Sequence, residues 1–146
     1  MKSIILISSI SFLVAGCRAT KIVSFIVADQ QGSKFYYQMK IPKGYTMKEM
    51  DFENEKTKMF IYQDSSRLFF SDNIKQSAFY PDAYKKYGSD LNLKFLSSDT
   101  ITISGIDAEG KLWEERKVRH VVYGYMKVPL EKKEMFDITL NSFISK

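Results

Sequence analysis

The sequence predicts an α+β fold: an antiparallel β-sheet packed by a C-terminal amphipathic helix and a short central helix. Three observations carry this reading. Aromatic residues make up 14% of the chain, with eleven Phe, nine Tyr and one Trp, which favours strands over a helical bundle. Short β-branched and aromatic runs recur along the chain, separated by turns rich in Gly, Asp and Ser. An apolar stripe at helical spacing, Phe136, Leu140, Phe143 and Ile144, lies near the C-terminus. Hairpin-connected strands followed by one terminal helix are the α+β pattern. With 146 residues, the chain has room for one substantial core.

The first element is a leader. Met1-Lys2 is a short basic start, and residues 3–14 are uncharged and mostly apolar. That run is too short to span a bilayer as a stable helix, and its flanks are those of an export signal. Val14-Ala15-Gly16-Cys17 follows. Ala15 and Gly16 let the backbone enter a peptidase groove in extended form, and Cys17 supplies a thiol for thioether attachment of a diacylglycerol. This segment resembles the signal peptide of bacterial lipoproteins, whose lipobox it matches at every position. The resemblance implies cleavage before Cys17, lipid on its sulfur and an acyl chain such as palmitate on its new amino group. Each buried methylene contributes about 0.8 kcal/mol, so two or three chains make a stable membrane anchor. Arg18 stands where an Asp would signal inner-membrane retention in such lipoproteins. The resemblance therefore implies the outer membrane, on its periplasm-facing side. The predicted organisation is a signal peptide over residues 1–16, a lipidated start and tether over 17–21, and one α+β domain over 22–146.

Along the domain, residues 22–27 are β-branched and aromatic and read as a strand, followed by the Asp29-Gln30-Gln31-Gly32-Ser33 turn. Residues 35–41 form a second strand, stopped by Pro42 and Lys43-Gly44. Residues 45–53 read as extended. Residues 58–63 and 67–71 form a hairpin around Asp64-Ser65-Ser66. Residues 81–87 suit a short helix, with Pro81 in its first turn and Gly88 at its end. Residues 91–97 fit either a helix or a strand. Residues 100–106 are a strand ending in the Asp107-Ala108-Glu109-Gly110 turn. Residues 111–128 read as one long strand stopped by Pro129. Val118, His120, Val122, Gly124, Met126 and Val128 are expected to face the core, and Glu115, Lys117 and Arg119 to face solvent. Residues 130–144 read as the terminal helix, with Glu131 and Glu134 near its start, where negative charge suits the helix dipole.

The Ile41-Pro42-Lys43-Gly44-Tyr45 strand end, the Phe60-Ile61-Tyr62-Gln63-Asp64 segment, a late strand and a C-terminal helix are similar in layout to MOG1/PsbP-like domains. That resemblance implies an α/β/α sandwich around an antiparallel sheet, and binding or assembly work rather than catalysis.

The composition narrows the chemistry. One Cys and one His exclude a disulfide framework and a Cys/His zinc site within a single chain. His120 has no partner fixed by spacing and reads as a packed or edge histidine. Glu114 and Glu115 are adjacent on a strand, so they point to opposite faces and cannot form a catalytic pair with each other. The chain shows no Gly-rich phosphate loop, serine elbow or Asp-rich calcium loop. The expectation is a protein without catalytic residues, metal or cofactor, and not an enzyme. The net charge of +5 is modest, and nucleic acid is not an expected partner. A protein partner is expected, contacted by Trp113, Arg116, Arg119, Tyr123 and Tyr125, because large rings and Arg carry much interface energy. The functional expectation is a lipid-anchored, periplasm-facing binding or envelope-assembly module. The alternative is an immunity-type lipoprotein that binds and neutralises a toxin.

Overall fold

The computed structural model describes residues 19–29, 31–52, 55–75, 77–78 and 82–146. The predicted signal peptide and Cys17, with Arg18, lie outside the described residues, as do Gln30, Glu53 and Pro81. Among the described residues, nine strands and three α-helices follow in the order β1 (Thr20–Ala28), β2 (Lys34–Pro42), β3 (Thr46–Phe52), β4 (Glu55–Ile61), β5 (Arg67–Ser71), α1 (Asp82–Tyr87), α2 (Leu91–Ser97), β6 (Thr100–Ile106), β7 (Leu112–Val118), β8 (Val121–Val128), α3 (Lys133–Asn141) and β9 (Ile144–Ser145). The fold is α+β, as the sequence predicts. It has two antiparallel sheets rather than one: a three-stranded sheet in the order β1-β2-β9 and a six-stranded sheet in the order β3-β4-β5-β8-β7-β6. β1 starts at Thr20, so Thr20 and Lys21, expected in the tether, already belong to a strand.

Alternation decides which side of each strand is buried. On β1 and β2, Phe25, Val27, Tyr37, Met39 and Ile41 turn inward. They meet Phe60, Leu68, Phe70, Val121, Tyr123, Tyr125 and Val128 from one face of the large sheet. α3 adds Phe136 and Leu140 to this core. The Phe25 and Phe70 rings stack at 3.9 Å, and the Tyr62 and Tyr125 rings each meet Phe136 edge-on at 5.6 Å. The opposite face of the large sheet supplies Phe69, Ile103, Trp113 and Val122, covered by Ala83 of α1 and Leu91 and Phe95 of α2. The six-stranded sheet is thus a middle layer. The short helices lie on one side, and the small sheet with α3 lies on the other.

Two expectations need correction. The long strand over 111–128 is a hairpin: Val118 pairs with Val121, and Arg119-His120 is a two-residue turn. Arg119 adopts φ 51°, and its N–H donates to the Asp99 carbonyl at 2.6 Å. A bulge sets Met126 and Lys127 against Trp113, since Leu112 pairs with Val128 while Glu114 pairs with Tyr125. The turn flips the phase of the alternation, setting Lys117 opposite Val122 and Glu115 opposite Gly124, so Glu115 and Lys117, expected in solvent, are buried. His120 sits in the turn, half-buried, with its ring 4.3 Å from that of Phe35. The terminal helix is also shorter than 130–144. A 3-10 turn covers Leu130–Lys132, and α3 ends at Asn141. The Ser142 hydroxyl donates to the Thr139 carbonyl at 2.6 Å and accepts the Lys40 N–H at 2.9 Å, which ties off the helix against β2. The chain then pairs as β9, and Ile144 is exposed instead of completing the stripe. Phe143 is half-buried, stacked on Tyr123 at 3.9 Å and on Tyr37 at 5.3 Å.

Candidate functional site

The five residues expected to contact a partner do not form a surface. Trp113, Tyr123 and Tyr125 are buried. Trp113 lies under the short helices, while Tyr123 and Tyr125 lie under α3. Gly105 sits opposite Trp113 on β6, and a Cβ there would overlap the indole ring, so glycine is what lets the ring lie flat. The Arg116 side chain works inside the molecule. Its Nε donates to Glu114 Oε1 at 2.7 Å and an Nη donates to Asn141 Oδ1 at 2.8 Å, joining β7 to the end of α3. The Tyr125 hydroxyl donates to Asp137 Oδ1 at 3.1 Å. Of the five, only Arg119 is exposed. Arg116 and Tyr125 thus hold α3 to the sheet instead of anchoring a partner.

The site that sequence reasoning missed is on the other face. α1 and α2 cover Ile103, Trp113, Val122 and Phe69, but β3, β4 and the near part of β5 extend beyond them. That part of the sheet walls a cavity of about 540 Å³, whose apolar lining includes Met50, Met59, Phe69, Val122 and Met126. Register explains the grouping: Met59 pairs with Phe69, and Phe69 pairs with Gly124, so these three positions share one face across β4, β5 and β8. A Cβ at Gly124 would overlap the Glu114 carbonyl oxygen and crowd the Phe69 ring. Methionine side chains are unbranched and polarizable, and they adapt to varied apolar shapes.

Glu115 is at one end of this cavity. Its Oε1 accepts the Ala78 N–H at 2.9 Å, and its Oε2 accepts the Ser77 hydroxyl. Burial pushes its carboxyl up to about 7, against the downward pull of those two donors. The carboxylate therefore pins the segment after β5 onto β7. The sequence did hold a signal for this: Glu115 is two residues from Trp113, hence on the same strand face. Thr57 and Ser71 share a hydrogen bond at 2.8 Å on the cavity wall, and Glu55 also lines it.

Lys117 is buried one step further along β7. Its ammonium donates to the Phe95 carbonyl at the end of α2, and burial lowers its pKa against the opposing field of Asp99. A second, more polar groove of about 760 Å³ runs past Asp29, Asp72, Lys117 and His120. Among the described residues, no group of three or more His, Cys, Asp or Glu side chains could hold a metal ion. No described helix is long and apolar enough to cross a membrane. No family model, curated protein or solved structure matches the chain.

Proposed function

We propose that this chain is a lipid-anchored binding or assembly module without catalytic activity, held through Cys17 at the periplasmic side of an outer membrane. Its binding site is the methionine-lined cavity, which receives an apolar segment of a protein partner. The observation that carries the reading is the part of the six-stranded sheet that no described helix covers, where Met50, Met59, Met126 and Phe69 line about 540 Å³. Clefts with apolar walls and a few polar groups at fixed positions are where proteins take ligands. The lipobox supports the anchor, and β1 begins only three positions after Cys17, which would hold the domain close to the bilayer. Such tethering raises the effective concentration of a site for partners at the same membrane.

The test is site-specific photocrosslinking in cells with a photoreactive residue at Met50, which is half-exposed at the cavity. A matching probe at Lys94, an exposed position on α2, is the control. The reading expects one discrete protein adduct from position 50 and none from position 94. The mass of that adduct separates an envelope component from an imported toxin, the immunity-type alternative. No adduct from position 50, or the same adducts from both positions, would overturn the cavity as the site.

A further inference from the structure

We propose that β1 pairs with β1 of a second copy of this chain, joining two three-stranded sheets into one continuous antiparallel sheet. The proposal depends on neither the lipid anchor nor the cavity. Four strands end the two sheets, and three of them are protected. β9 is two residues long. β3 carries Lys48, Glu49 and Asp51. β6 is uncharged, but α1 covers it: the Tyr87 hydroxyl donates to the Ser104 carbonyl and accepts the Ser104 N–H, each at 2.9 Å, and the Lys86 ammonium donates to the same carbonyl at 2.6 Å. Short edges, charges and covers of this kind are how proteins prevent unwanted strand pairing.

Among the described residues, β1 has none of these devices. It is nine residues long, contains no Pro, and has one charged residue, Lys21, near its start. Among the described residues its only strand partner is β2. The Lys43 N–H donates to the Ala19 carbonyl at 2.9 Å, and the register pairs Thr20 with Pro42. In an antiparallel ladder this makes the odd-numbered residues of β1 the ones bonded to β2. The N–H and C=O groups of Thr20, Ile22, Ser24, Ile26 and Ala28 therefore point along the free edge. The side chains of the same residues lie on the outer face, where Ile22 is 59% and Ile26 61% exposed.

The sequence around Ser24 is self-complementary. A two-fold axis through Ser24 pairs Ser24 with Ser24 of the second copy, Ile22 with its Ile26, and Thr20 with its Ala28. Each of these pairs brings outward-pointing backbone groups together, and each Ile meets an Ile. No charged side chain is set opposite another, because Lys21 falls opposite Val27. The occupant that this edge fits best is therefore its own copy.

The test uses the full-length chain expressed in whole bacterial cells, with a thiol-specific cross-linker spanning about one inter-strand distance, roughly 5 Å. Wild type controls for any reaction at Cys17. Ser24→Cys is expected to form a dimer at least tenfold more efficiently than Lys94→Cys. Ile22→Cys and Ile26→Cys are expected to cross-link when mixed and not when either is present alone. Ser24 is exposed, so its substitution leaves the core untouched. Ser24→Cys cross-linking no better than Lys94→Cys, an adduct with a different protein, or Ile22→Cys dimers as abundant as mixed ones would each overturn the proposal.

Discussion

Glu115 shows how a single side chain can carry both a structural and a titratable role. Its ordinary pKa of 4.5 is pushed up to about 7 in the folded protein, chiefly by burial. The folded state therefore holds this proton more tightly than the unfolded state. Below about pH 4.5 both states are protonated and Glu115 costs nothing. As pH rises from 4.5 to 7 the cost of burying the charge grows, and above 7 it is complete. A shift of this size corresponds to on the order of 3 kcal/mol at about 1.4 kcal/mol per unit. Glu115→Gln should then be more stable than wild type above pH 7, with the gap closing as pH falls from 7 to 4.5, as read from denaturant melts across that range. Asp64 works in the opposite sense. Although partial burial raises its pKa, hydrogen bonds from Lys132 and Ser66 prevail and bring its carboxyl down to about 2. Its contribution is present above its ordinary pKa of 3.8 and is lost as pH falls through 2. Phe136 is a simpler case. It is fully buried and meets Tyr62 and Tyr125 edge-on. Phe136→Ala should cost about 3–5 kcal/mol in equilibrium unfolding.

The elements were readable where punctuation was strong. Gly44 at φ 97° ends the β2 turn, and Gly88 at φ 82° closes α1, as glycine at those places suggested. Asp64 Oδ1 accepts from both the backbone and the hydroxyl of Ser66, which makes the β4–β5 hairpin the expected one. The β7–β8 turn was hidden because it is made by Arg119 and His120. A left-handed Arg gives no compositional signal, and the strands on either side share one apolar rhythm. The cavity was hidden for a related reason. Its Met residues come from β3, β4 and β8, and only strand register brings them to one face. Register can be checked directly where β6 packs on β7. Gly105 pairs with Trp113, and an added methyl would overlap the ring. Gly105→Ala should destabilise the domain by about 1–3 kcal/mol, the usual range for overpacking. An unchanged denaturation midpoint would place the indole elsewhere.

At the scale of the whole molecule, the sheet between two unlike layers separates two tasks. One face holds α3 and the small sheet through a continuous aromatic core, which fixes the fold. On the other face α1 and α2 cover only part of the sheet among the described residues, and the methionine-lined cavity beside them is the proposed binding site. The α+β class could be read from strand runs and a terminal stripe, whereas the split into two sheets follows from pairings between distant residues such as Gln38 with Ile144. In the proposed reading, the lipobox ending at Cys17 would hold this arrangement at a membrane. The most direct test is metabolic labelling of the full-length chain with radioactive palmitate in a bacterial host, comparing wild type with Cys17→Ser. The account predicts label on the wild-type protein, recovered with membranes, and none on Cys17→Ser. An unlabelled wild-type protein, or equal labelling of both chains, would contradict it.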